Sequence, residues 1–251
     1  MAASDARTAI GVAGRVAAAG VLAAGVAVGG WLVGDGFATG RGGERTVTVK
    51  GVAEREVKAD LAIWPMRFVA TSNVLAEAQA AVSGHARTIA AFLAAAGIAA
   101  DEVELRDLAV TDLLAQAYRS GPVESRFIVA QTLVVRTAAV DHVAAASQRI
   151  GDLVAAGVVL SSEGAAMQGP FYLFTRLNEI KPPMIAEATE SARAGAEQFA
   201  ADSRSTVGGI RRASQGVFQI LARDQAPGLQ EATQIHKTVR VVSTIDYRLE
   251  D

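Results

Sequence analysis

The stretch that leaves this chain least freedom is RVAAAGVLAAGVAVGGWLVGDG, Arg15 to Gly36, which carries no charge between Arg15 and Asp35. The uncharged run from Val16 to Val33 is about eighteen residues, near the lower limit for a helix crossing ~30 Å of hydrocarbon. Ala and Gly dominate it. Its hydrophobicity comes from Val16, Val21, Leu22, Val26, Val28, Leu32 and Val33, each favouring insertion by roughly 0.3–0.6 kcal/mol. Trp31, at the far end, suits the headgroup region. A core helix of a soluble domain would show a polar face, and none is present here. Arg7 and Arg15 precede the run and Asp35 follows it. Positive charge on the cytoplasmic side puts the N-terminus inside and everything beyond Gly34 across the membrane.

The expectation is an uncleaved signal anchor over residues 1–36, followed by a Gly-rich linker at 37–45 and a folded domain at 46–251. This makes a single-pass membrane protein with its C-terminal domain on the far side of the membrane. The alternative is a signal peptide cut near Ala38, after Gly36-Phe37-Ala38, which would leave a soluble periplasmic protein. Gly25 with Gly29, and Gly30 with Gly34, have the small-xxx-small spacing that lets membrane helices pack closely.

Composition narrows the partners. The chain has 251 residues, 51% hydrophobic and 20% charged, with a formal net charge of −2. No basic run offers itself to phosphate, so nucleic acid is not an expected partner. The expected partners are the lipid bilayer and further copies of the chain. With 0 cysteines there is no disulfide, thiolate nucleophile, Cys-held metal or lipoprotein anchor.

Beyond the linker, hydrophobic periodicity predicts a domain of paired strands alternating with long helices. TVTVKG alternates Val47 and Val49 with polar residues, as a half-buried strand does. LAIWPMRFVA places Ala62, Trp64, Met66 and Phe68 on one face, and Pro65 predicts an edge position or a bulge. A helix is expected from Ser72 to Ala96 with Leu75, Val82, Ile89, Phe92 and Leu93 inward and Gly97 ending it. VELRDLAVTDLLAQAY and SRFIVAQTLVVRT read as strands joined through RSGPVE. A helix from about Val140 to Ala156 and short strands at Val158–Leu160 and Phe171–Arg176 follow. The third long helix, Ile180 to Ser203, aligns Met184, Ile185, Ala188, Ala192, Ala196 and Phe199, with Pro182 and Pro183 in its first turn. Two closing strands are IRRASQGVFQIL and HKTVRVVSTIDYRLED. The fold class is α+β with largely antiparallel sheet.

VTVKGVAEREVKADLA, RFIVAQTLVVRT, MIAEATESARAGAEQFAADSRSTVGGI and KTVRVVSTIDYRL together resemble the SIMPL-domain (DUF541) family over Thr46 to Leu249. The pattern is an opening V-x-V-x-G strand, an acidic residue before the second strand (here Asp60), a central strand, an Ala-rich helix running into a Gly turn, and a closing strand. Many members open the central strand with Gly-Tyr, where this chain has Phe127-Ile128. The resemblance implies an exported protein of the bacterial cell envelope, here a single-pass inner-membrane protein with a periplasmic C-terminal domain, related to periplasmic immunogenic and oxidative-stress proteins, that assembles into homo-oligomers. It implies no reaction and no cofactor.

The residues themselves offer little chemistry. His85, His142 and His236 show no spacing that puts two ligands on one face, so no metal is expected. There is no G-x-S-x-G, S-x-x-K or P-loop, and no catalytic residue is assigned. Asp101, Glu102, Glu104 and Asp107 fall in DEVELRD; on an alternating strand Glu102 and Glu104 would share a face, as acid–base pairs sometimes do. A solvated strand face is the plainer reading, as is a charged rim for Glu54, Arg55 and Glu56. The sequence thus favours a non-enzymatic, self-assembling envelope protein. The alternative is a periplasmic small-ligand carrier or enzyme with its site between sheet and helices.

Overall fold

A computed structural model of the chain describes residues 3–41, 45–115, 124–161 and 169–251. In chain order the helices and strands are α1 (Ala3–Arg41), β1 (Thr46–Lys58), β2 (Leu61–Ser72), α2 (Leu75–Ala95), β3 (Val103–Asp112) and β4 (Phe127–Thr137). Then come α3 (Val140–Gln148), α4 (Gly151–Ala155), β5 (Val159–Leu160), β6 (Phe171–Leu173), α5 (Leu177–Asp202), β7 (Thr206–Gln215), β8 (Gln219–Ala222) and β9 (His236–Glu250). The fold is α+β, and its resolved strand pairings are antiparallel.

The chain falls into two compact units. The larger comprises Val49–Gly195 and Arg212–Ile245. Within it lies a five-stranded sheet in the order β3-β4-β2-β5, with β6 also pairing to β2. The alternation read in β2 holds: Ala62, Trp64, Met66 and Phe68 are all buried. They meet Val82, Ile89 and Leu93 of α2, Val143 of α3 and Leu153 of α4 in one core. Full burial of large apolar side chains stabilises by roughly 1.5–3 kcal/mol each. A second core in the same unit gathers Ala53, Met184, Ala188, Val239 and Val241. The smaller unit comprises the chain to Thr48, Ala196–Arg211 and Asp246–Asp251. There the Leu249 amide donates to the Arg45 carbonyl at 2.7 Å, and Thr48 Oγ1 donates to Asp246 at 2.7 Å. A four-stranded sheet orders its strands β1-β9-β7, with β8 also pairing to β9.

Several expectations need correction. Pro65 is on neither an edge nor a bulge, because β2 pairs with β4 from Ala62 to Ser72 without a register shift. On the other side β6 takes residues 61–63 and β5 residues 68–69. The proline sits in the gap between them, where a ladder donor has no partner to lose. The helix expected from Val140 to Ala156 is two, broken at Arg149 and Ile150. α5 starts earlier than expected, so Pro182 and Pro183 lie beyond its first turn. IRRASQGVFQIL divides into β7 and β8 around Gly216, whose absent Cβ would stand 2.6 Å from the Val242 carbonyl oxygen. α1 continues to Arg41, taking in the first five residues of the segment read as linker; once an apolar helix is nucleated, each further residue adds a bond cheaply. The RSGPVE loop lies largely outside the described residues.

α2 ends as its glycine requires. Gly97 has φ +83°, its amide donates to the Ala94 carbonyl, and the Ile98 amide donates to the Leu93 carbonyl, both at 3.0 Å. This is the Schellman closure, in which glycine occupies the left-handed position at least cost.

Candidate functional site

One cleft in the larger unit gathers polar side chains from three places in the sequence. It has a volume of about 610 Å³ and lies among the β1–β2 turn, the start of α3 and the segment joining β6 to α5. Lys58 and Asp60 come from the turn, Asp141 and His142 from α3, Thr175 and Arg176 from the joining segment. Between them the lining is aliphatic: Ala59, Ala138, Ala139 and Val140.

Asp60 organises this place. Its amide donates to the Leu173 carbonyl at 2.9 Å, which seats the residue where β6 releases the chain. Its carboxylate then takes four donors from Thr175 and Arg176. Oδ1 accepts from the Thr175 amide at 2.8 Å and the Thr175 hydroxyl at 3.0 Å. Oδ2 accepts from the Arg176 amide at 3.2 Å and Arg176 Nε at 3.1 Å. Burial pushes the acid toward its neutral form, but the donors from Thr175 and Arg176 outweigh it and hold Asp60 below the ordinary aspartate value.

The chemistry follows from that count. A carboxylate offers about four lone-pair sites, and all four are occupied here. Asp60 is therefore a clamp, and its lowered proton affinity makes it a poor base for the Thr175 hydroxyl beside it. Lys58 is paired with Asp141. Arg176 presents a side chain that remains largely exposed, with Nε committed to Asp60. His142 Nδ1 lies 3.3 Å from the Gly97 carbonyl oxygen, leaving Nε2 as its second ring nitrogen. A Cβ on Gly97 would stand 3.0 Å from Nδ1, so this imidazole packs directly on the glycine that ends α2.

A family model described as SIMPL, a protein of unknown function (DUF541), matches residues 47–246. The chain belongs to the SIMPL family. No curated protein matches it. Two elements of the SIMPL pattern now have physical reasons. Gly51, the glycine of V-x-V-x-G, lies under α5, and a Cβ there would come within 1.8 Å of the Ala188 carbonyl oxygen and 2.5 Å of the Ala192 nitrogen. Asp60, the acidic residue before the second strand, is the four-donor clamp.

The other residues considered from sequence are dispersed in this SIMPL chain. Glu102 belongs to a 3-10 turn (Ala100–Glu102) ahead of β3; it accepts from the Thr137 hydroxyl at 2.5 Å and the Ala99 amide at 3.0 Å. Glu104 stands on β3 and pairs with Arg106, so the two glutamates form no acid–base pair. Glu54 and Arg55 lie within β1 and pair with Arg240 and Glu187. His85 is on α2 and His236 opens β9, away from the cleft lining. Among the described residues, no three His, Asp or Glu side chains cluster closely enough to hold a metal ion.

Residues Ala17–Gly36 of α1 form a helix long and apolar enough to cross a membrane, compatible with an anchor or a signal sequence. Val21, Leu22, Val26, Val28, Trp31, Leu32 and Val33 are all exposed, and a Cβ on Gly25, Gly29, Gly30 or Gly34 would meet nothing within 4 Å. The side chain of Val16 lies outside the described residues. Thr175 and Arg176 were missed from sequence. They sit in the segment between β6 and α5, with no local pattern tying them to Asp60.

Proposed function

We propose that this SIMPL chain is a membrane-tethered protein of the bacterial envelope, with its N-terminus cytoplasmic, its domain periplasmic, and a structural role carried out by self-assembly. The observation that carries the reading is the exposure of α1. No part of the Ala17–Gly36 span is buried, and its mean hydropathy is 1.8. Twenty residues at 1.5 Å each match the ~30 Å hydrocarbon thickness. In water, so long an apolar cylinder would be costly; in a bilayer its hydrocarbon is solvated and its backbone bonds are internal. Arg7 and Arg15 on one side, with Asp35 on the other, favour the stated direction.

Assembly draws support from β3. This strand ends the order of its sheet, and every residue from Glu104 to Val110 is exposed, including Leu105, Leu108 and Val110. Leu105 and Val110, opposite Leu133 and Val129 of β4, share one face across a bulge between Arg106 and Ala109, and an edge strand with exposed apolar side chains is a template for pairing with another strand. A second copy presenting the same edge would cover it.

The absence of cysteine permits a direct test of both halves. Lys50→Cys, at an exposed position, should react with a membrane-impermeant maleimide in intact inner-membrane-exposed cells, while Ala3→Cys should not. The full chain should stay with membranes through alkaline extraction. N-terminal sequencing that found a mature start near Thr39 would defeat the anchor. Sizing in detergent should give an oligomer that Leu105→Glu with Val110→Lys breaks down, and a wild-type monomer would defeat the assembly.

A further inference from the structure

We propose that the Asp60 cleft is a binding site for a short-chain organic monocarboxylate, held by Arg176 through its acid group and by the alanine-rich wall through its hydrocarbon. This goes beyond self-assembly and does not depend on it.

The argument starts with Arg176. Its Nε is fixed on Asp60 Oδ2, and its backbone amide is fixed on the same oxygen. These two contacts orient the guanidinium, while its side chain stays 61% exposed. Its two Nη nitrogens make no hydrogen bond among the described residues. A guanidinium oriented with its outer donors open is the geometry that takes a carboxylate through two parallel bonds. It is also preorganised, since the positioning bonds exist before a ligand arrives.

The surroundings choose the ligand's charge. Lys58 and Arg176 are each paired with one carboxylate, Asp141 and Asp60, so the four charges of the cleft sum to zero. The Asp60 carboxylate lies against Arg176 itself. A second negative charge on a ligand would therefore face two carboxylates and find no spare cation. One negative charge fits, and the phosphate dianion fits poorly. His142 also lines the cleft as a polar side chain.

The wall chooses the rest of the ligand. Ala59, Ala138, Ala139 and Val140 line the cleft; Ala59 and Val140 are buried, and a hydrocarbon chain laid on the exposed Ala138 and half-buried Ala139 removes apolar surface from water. A volume of about 610 Å³ is within the range of small-molecule sites. The match is an acid with a few carbons, too small to span both the cleft and bulk solvent.

The test uses the full chain in nanodiscs, with hexanoate as probe and hexanol and inorganic phosphate as comparisons, read by calorimetry and by ligand-observed NMR. Hexanoate should bind saturably at one site per chain, at least about tenfold more tightly than either comparison. Arg176→Gln should weaken hexanoate by at least about tenfold, in keeping with the loss of a charge-assisted pair. Ala138→Trp, at an exposed position of the wall, should fill the cleft and abolish binding while leaving the Asp60 bonds and the unfolding midpoint unchanged. No saturable hexanoate binding, tighter binding of phosphate, or full binding by Ala138→Trp would each overturn the proposal.

Discussion

Asp60 Oδ1 accepts both donors of Thr175, the amide at 2.8 Å and the hydroxyl at 3.0 Å, across a sequence separation of 115 residues. The start of β2 is thus tied to the entry of α5 through one carboxylate oxygen. Asp60→Asn keeps one acceptor but turns an amide NH₂ toward donors it cannot satisfy. We expect a loss of roughly 1.5–3 kcal/mol, the range for bonds to a charged group. The measurement is the urea midpoint at unchanged slope. A change within about 0.5 kcal/mol, as for an ordinary surface substitution, would refute the clamp.

The same residue predicts an acid dependence. Its folded value lies below the ordinary 3.8, because the Thr175 and Arg176 donors outweigh the upward push of burial. A carboxylate depressed on folding stabilises fully above its unfolded value, and that stabilisation fades as pH falls through the folded one. Wild type should therefore lose stability below about pH 4 more steeply than Asp60→Asn. Parallel unfolding curves for the two proteins across that range would remove Asp60 from the account.

Gly51→Ala should fail for a different reason. Its added carbon would meet the α5 backbone at Ala188 and Ala192, and backbone does not swing aside as a side chain can. The expected cost exceeds about 3 kcal/mol, the upper end for ordinary overpacking. Gly209→Ala is the control, since nothing lies within 4 Å of a Cβ there. Thermal unfolding of the pair should separate them clearly, and near-equal midpoints would contradict the close approach.

Lys237 on β9 is wholly buried, with Nζ donating to the Glu231 carbonyl at 2.7 Å and to its carboxylate. Glu231→Gln leaves that ammonium without its counter-charge, at a cost of about 1–3 kcal/mol. Lys237→Met removes the charge and fills similar space, so it should destabilise less. Denaturation of both variants at one pH ranks them; the reverse order would mean the pair contributes little.

How far the sequence could be read depended on how local the signal was. Trp64 and Phe68 were assigned to the right face because strand alternation is decided within a few residues, and both are buried. α5 shows the limit of helical phase. Met184, Ala188, Ala192 and Ala196 face inward as expected, yet Ala200 continues their row and Phe199 stays 59% exposed. Size suggested the phenylalanine, whereas the four-residue rhythm of a close-packed small stripe selected the alanine. Leu75 is likewise exposed, because α2 begins there and its first turn reaches past the core. The cleft was almost illegible. Asp60 could be singled out only through the family pattern, and its partners stand far along the chain, where no periodicity links them.

The neighbour relation of β1 and β9 fixes the order in which this molecule can be completed. The first strand of the domain has its sheet partner in the last one, which must be made before the two can pair. At 5–20 residues per second the interval is roughly ten seconds or longer. Throughout it β1 waits as an open edge, able to pair with whatever strand is near. Emergence of the β9 residues covers one edge of β1, and because β1 ends the sheet order its other edge has no strand beside it among the described residues even in the finished fold.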